Sequence, residues 1–68
     1  MMQKGVIKML NPVKEFGFIT TEDDDDLYFS FRDMHPKSRN ARLHEGMQVG
    51  FDMKREIRGD RAVNVRVL

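Results

Sequence analysis

Nowhere in this chain does an apolar pattern of helical period last ten residues; turn signals instead divide it into five short apolar runs. That pattern favours an all-β barrel or sandwich over a helical bundle. The first run, residues 6–10, ends at Asn11-Pro12, and its apolar residues come in adjacent pairs, Val6-Ile7 and Met9-Leu10. Strict alternation fails there, which predicts a bent or bulged strand. The second and third runs, residues 16–20 and 27–31, are joined through the acidic stretch 22–26 and read as a hairpin.

Between residues 32 and 46 the alternation is lost, and this segment is the long connection. The fourth run, residues 47–54, sets Val49, Phe51 and Met53 on one face and Gln48, Gly50, Asp52 and Lys54 on the other. Arg58-Gly59-Asp60 reads as a tight turn. The fifth run, residues 61–68, aligns Val63, Val65 and Val67 on one face, with Arg61, Asn64 and Arg66 among its polar residues. Five strands broken after the third predict a partly open, five-stranded antiparallel Greek-key barrel, an OB-fold.

The 68 residues suffice for one domain, spanning 1–68. A domain of this size buries only about 60% of the surface its unfolded chain exposes, so it has a single core. With no cysteine there is no disulfide framework and no thiolate metal site. No stretch approaches the ~20 apolar residues of a membrane span, and the first residues lack a signal peptide's apolar run, so a soluble cytoplasmic protein is expected. The net charge of +1 hides an uneven distribution, because residues 22–26 hold five of the eleven acids. The other 63 residues carry twelve Lys and Arg against six acids, a net +6. A basic body with one acidic loop is compatible with a polyanionic partner held away from that loop.

Five of the six aromatic residues fall in the second and third runs: Phe16, Phe18, Tyr28, Phe29 and Phe31. Side chains two apart on a strand share a face, so Phe16 and Phe18 project together, as do Tyr28 and Ser30 from the next strand. Paired, the two strands make an aromatic platform, and a platform bordered by cations suits unpaired bases and the phosphates beside them. Phe in a strand more often belongs to the core. The opposite parity of that strand holds only Gly17 and Ile19, a thin core face, so the residues by themselves favour the core for Phe16 and Phe18.

Lys14-Glu15-Phe16-Gly17-Phe18-Ile19 and Leu27-Tyr28-Phe29-Ser30-Phe31 resemble the two ribonucleoprotein motifs of the bacterial cold-shock domain family, which read like Lys-Gly-Phe-Gly-Phe-Ile and Val-Phe-Val-His-Phe. The likeness continues through Lys4-Gly5-Val6-Ile7-Lys8 and Asn11, through Leu43-His44-Glu45-Gly46-Met47-Gln48-Val49, and through Arg58-Gly59 and Ala62-Val63-Asn64-Val65. It covers almost the whole chain in order. The resemblance implies single-stranded RNA or DNA as partner and a role as RNA chaperone or regulator of gene expression. It places Phe16, Phe18 and Tyr28 outward as stacking groups, with Ile19, Leu27 and Phe29 inside, and it makes Lys8 and Lys14 phosphate contacts. Arg32 flanks the same aromatics. Phe31 has core parity but matches a base-contacting position of the family.

The departures lie on the same surface. Met9 stands where the family has Trp, Leu10 where it usually has Phe, Ser30 in place of a His, and Glu15 in place of a Gly. The long connection offers Lys37, Arg39 and Arg42 where many members have another aromatic. Met9 and Ser30 remain candidate contacts, although a thioether lacks an extended π-surface. Stacking is worth ~1–3 kcal/mol per base, so binding weaker than in a typical member is expected. An eroded platform also leaves open a protein-binding role for the same barrel, as a monomer or weak homodimer.

No catalytic constellation is visible. His35 and His44 have no cysteine or suitably spaced carboxylate near them and read as exposed and idle. The acidic run lacks the spacing of an EF-hand loop. No enzyme activity, cofactor or metal is expected.

Overall fold

The computed structural model describes residues 2–68. Strands β1 (Gln3–Asn11), β2 (Phe16–Thr21), β3 (Asp26–Ser30), β4 (Gln48–Lys54) and β5 (Arg61–Val67) form a closed barrel in the order β1-β2-β3-β5-β4. The first three strands form an antiparallel meander, and β4 returns to lie antiparallel to β1. That 4-1-2-3 order is the Greek key. β5 then pairs antiparallel with β4 and meets β3 in parallel through one register pair, Tyr28 and Arg61. The barrel expected to be partly open is closed along this short parallel seam, which an isolated bridge between Met34 and Val65 extends.

The irregularity expected in the first strand is a bulge. Ile7 pairs with Ile19 and Met9 with Phe18, leaving Lys8 unpaired between them. The extra residue reverses the parity of the strand. Ile7 is therefore buried, Met9 shares the outer face with Phe18, and Leu10, opposite Gly17, packs against the core. Gly17 is obligatory for this arrangement, because a Cβ there would lie 2.6 Å from the Met9 carbonyl oxygen and 2.9 Å from the Phe29 ring.

A second bulge changes the faces expected for the last two strands. Between the Gly50–Arg66 and Asp52–Val63 pairs, Phe51 alone faces two residues of β5, Asn64 and Val65. Asn64 absorbs the extra residue with φ +51°, a conformation Asn tolerates, and its amide donates to Asp52 Oδ2 at 3.1 Å. Parity therefore breaks at Asn64, and the buried residues of β5 are Ala62 and Val65, with Val63 and Val67 only half-buried. Met53, expected beside Val49 and Phe51, is exposed, although its partner across the strands, Ala62, is buried.

The third strand ends at Ser30, one residue earlier than expected. The Ser30 hydroxyl accepts from the Arg32 N–H at 3.2 Å, and Asp33 Oδ2 accepts from the Ser30 N–H at 2.8 Å. This reciprocal cap starts a 3-10 turn, Phe31–Asp33. A second turn, Pro36–Ser38, is capped by His35, whose Nδ1 accepts from the Lys37 N–H at 3.1 Å. His35 is half-buried and serves as a cap, rather than being exposed and idle. Within the barrel Phe29, Phe51, Ile7, Ile19, Val49 and Val65 are almost completely shielded from solvent.

Candidate nucleic-acid interface

Strand register sets the outer face of β1, β2 and β3 in three rows. One row is Asn11, Phe16 and Ser30; the next is Met9, Phe18 and Tyr28; the third contains Thr20 and Asp26, with the bulged Lys8 beside them. The aromatic groups occupy the first two rows, and their rings touch. Phe16 and Tyr28 stack at 5.7 Å between centroids with planes 26° apart, while Phe18 meets both edge-on at 6.1 Å. Offset-stacked and edge-to-face contacts of this kind fix ring orientation as well as adding attraction. Phe16 and Phe18 are half-buried and Tyr28 is 38% exposed, so the cluster presents ring surface to solvent. Ile19, Leu27 and Phe29, on the opposite parity, are inside.

The first row opens onto a surface groove of about 800 Å³ whose walls include Lys14, Arg32, Arg39 and Arg61, with Glu15 the one acid there. Lys14 lies in the β1–β2 turn, and its N–H donates to Asn11 Oδ1 at 3.1 Å. Glu15 has φ +58°, in the left-handed region. That explains physically why the related motif carries Gly at this position. Phe31 follows the cap set by Ser30. Its ring stacks on Phe29 at 6.3 Å, and the residue lines both the groove and a smaller apolar notch of about 120 Å³. Phe31 is thus both a core-packing residue and a groove wall. The Ser30 side chain lines the groove too, with its hydroxyl already engaged in the cap.

The third row has the opposite character. It borders a depression of about 470 Å³ lined by Asp23, Asp25, Asp26 and Asp60, with Arg58 the one cation. The acidic turn is ordered around Thr21, whose buried hydroxyl accepts from the Asp23 and Asp25 N–H groups, each at 3.2 Å. Asp26 Oδ2 accepts from Lys8 Nζ at 2.7 Å, and Thr20 donates to Oδ1 at 3.1 Å. The Lys8 hydrogen bond first, and the Thr20 hydroxyl second, hold the Asp26 carboxyl below its ordinary pKa. Lys8 therefore has an intramolecular anion beside it, whereas Lys14 has no ion-pair partner among the described residues.

Two residues that shape this surface escaped the sequence reading. Arg61 places its guanidinium 5.4 Å from the centre of the Tyr28 ring, within cation–π range, and forms ion pairs with Asp33 and with Glu56, the latter at 3.4 Å. The hydrogen bond to Asp33 is the main cause that raises its pKa further. Its Nε is buried with no hydrogen-bond partner among the described residues. The contact with Tyr28 depends on barrel closure across 33 positions of chain, which leaves no local signal. Asp26, read from the sequence as part of a solubilising loop, is the partner of Lys8; a cross-strand register worked out to the bulge is the signal that finds it.

The family model of the 'Cold-shock' DNA-binding domain matches residues 3–68. The chain is 37% identical over 65 residues to the cold shock protein CspC of Bacillus subtilis, covering 96% of this chain and 97% of that protein. It is 37% identical over 67 residues to the major cold shock protein of Streptococcus pyogenes, covering 98% of each. A cold shock-like protein of Aquifex aeolicus is 38% identical over 66 residues, or 96% of this chain and 93% of that one. Agreement along the full barrel, in a structure with the matching topology, means that the chain belongs to the cold-shock domain family.

Proposed function

We propose that this protein binds single-stranded RNA or DNA over a few nucleotides with little sequence preference, stacking bases on Phe16, Phe18 and Tyr28. The observation that carries this reading is the mutual contact of those three rings on an exposed face beside a cation-lined groove. Every base offers a π-face, so stacking tolerates sequence, and the cations of the groove favour phosphate. Lys14, Arg32 and Arg39 are the cations assigned to phosphates. Met9, level with Phe18, extends the platform as a soft apolar surface. Phe31 and Ser30 form the wall at its other edge, and Lys8 contributes only when it parts from Asp26.

These features also support affinity below that of a member with a full aromatic set. Met9 replaces one stacking group, Ser30 spends its hydroxyl on a cap, and Lys8 is paired. Weak, sequence-tolerant binding to the open form shifts a folded RNA toward that form by differential affinity alone, which is how an RNA chaperone works without nucleotide hydrolysis.

Titrating a short oligouridylate into the wild type and Phe18→Ala tests the platform. Phe18→Ala is expected to lose ~1–3 kcal/mol of binding, roughly five- to 150-fold in Kd. The wild-type affinity is expected to fall with added salt, by about 0.7 in log–log slope for each phosphate contacted. Equal affinity of the two proteins, or binding insensitive to salt, would move the assignment to an apolar protein partner on the same face.

A further inference from the structure

The β4–β5 turn carries a surface that the stacking platform does not use. Glu56 and Gly59 close a hydrogen-bonded turn, the Gly59 N–H donating to the Glu56 carbonyl at 3.0 Å, with Ile57 and Arg58 at its two corners. Gly59, at φ +123°, allows the chain to reverse there. Ile57 is fully exposed, with a relative accessibility of 107%, the most exposed of the large apolar residues described. Lys54, Arg55 and Arg58 surround it, all exposed, against the single acid Glu56. Glu56 is itself paired to Arg61, and Arg61 lies over Tyr28. The turn is therefore tied to the platform through one side chain. Arg58 and Gly59 also share the walls of the depression that Phe18 and Tyr28 line.

An isolated isoleucine held in water at a turn corner gains nothing for the barrel, because it packs on no core residue. Three cations within five residues match a phosphate backbone in charge. Apolar side chains presented among cations are what proteins insert between base steps to unstack them. Nearby, Asp23, Asp25, Asp26 and Asp60 repel phosphate. Arg58 stands among these carboxylates, whereas Lys54 and Arg55 lie outside that depression beside Ile57, so the attraction the turn offers phosphate on that side comes from those two cations.

We propose that the 54–58 turn is a second nucleic-acid site: a wedge in which Ile57 abuts or enters the last base pair of an RNA duplex flanking a platform-bound single strand, while Lys54 and Arg55 hold that duplex's phosphates. The site rests on the single-strand reading of the platform, and it changes the mode of melting from trapping open strands to destabilising the junction.

The test uses a quenched RNA hairpin with a single-stranded uridine tail, beside the tail alone. Ile57→Ser is expected to bind the tail with wild-type affinity and to open the hairpin severalfold less at saturation. Lys54→Gln/Arg55→Gln is expected to make the log–log salt slope shallower by about 1.5 for the tailed hairpin, and to leave the tail-only slope unchanged. Ile57 packs on nothing, so the substitution leaves the fold intact, and a matching thermal transition checks this. Hairpin opening by Ile57→Ser equal to wild type, or wild-type tail binding with no opening, overturns the wedge. So does Ile57-dependent self-association with unchanged opening, which would make a second copy the occupant. Wild type failing to bind the tail overturns the platform reading instead, and the wedge with it.

Discussion

The aromatic platform has two margins along its strands, and they carry opposite charge. At the Phe16–Ser30 margin the groove wall offers Lys14, Arg32, Arg39 and Arg61 against Glu15. At the Thr20–Asp26 margin four aspartates face Arg58, and Lys8 is drawn to Asp26. A phosphate chain meets attraction at one margin and repulsion at the other, so the three rings are not a symmetric surface. The near-neutral whole-chain charge says nothing of this. What matters is where the strand register places each charge relative to the rings.

The largest effect on this contrast is expected at the seam. Arg61 joins Tyr28, Asp33 and Glu56, and its side chain and that of Asp33 are only 25% and 14% exposed. Arg61→Met leaves the Asp33 carboxylate with the Ser30 N–H as its remaining partner and removes the cation from beside Tyr28. A loss of about 1–3 kcal/mol in unfolding free energy is expected, measured by urea denaturation, together with weaker oligouridylate binding. Unchanged stability would show that the ion pair adds nothing beyond solvation and that the basic margin does not depend on the seam.

Glu15→Gly should strengthen the basic margin, with a smaller effect. A non-glycine residue in the left-handed region costs roughly 1–2 kcal/mol, and the added freedom of glycine in the unfolded chain returns about 0.4–1 kcal/mol of that. A net gain of about 0.5–1 kcal/mol in stability is expected. Removing the negative charge beside Lys14 should tighten oligouridylate binding as well. Tighter binding without greater stability would separate the charge effect from the backbone effect.

How far the sequence reveals such a surface depends on how local the cause is. Which aromatic residues share a face was legible because alternation is a two-residue rule, and Phe16, Phe18, Tyr28, Ile19, Leu27 and Phe29 obey it; which face turns outward came from the family resemblance, since Phe in a strand by itself points to the core. The bulge in β1 was legible as a failed alternation at Val6-Ile7 and Met9-Leu10. The bulge in β5 was hidden, because the alternating valines continue through Asn64 and nothing nearby marks where parity breaks. The early end of β3 was hidden too, since the Ser30–Asp33 cap competes with an apolar pattern that runs on to Phe31. Arg61 and Asp26 matter through partners brought near by closure and by cross-strand register, and neither has a local signature.

At the acidic margin, Asp26→Asn is expected to free Lys8 for one phosphate and make the salt slope for oligouridylate steeper by about 0.7. The same substitution in a Lys8→Met background should leave the slope unchanged. A shift of equal size in both backgrounds would mean that Asp26 acts by general repulsion rather than by holding Lys8.

The smallest effect is a titration, and it tests the pair without any ligand. Lys8, and after it Thr20, lower the Asp26 pKa in the folded protein. A carboxyl whose folded pKa lies below its unfolded one adds stability above the unfolded value, and that stability disappears as the pH falls through the folded one. The window therefore lies wholly in acid, at and below the ordinary carboxylate range, and Asp26 stays ionised and opposed to phosphate throughout neutral pH. Following the side-chain carboxyl carbon of Asp26 by NMR should give a midpoint below that of an unpaired aspartate. In Lys8→Met the midpoint should rise only part of the way back, because the Thr20 hydroxyl still donates to Oδ1. A midpoint indifferent to Lys8 would show the cation free in solution, and the acidic margin would then lose its hold on that lysine.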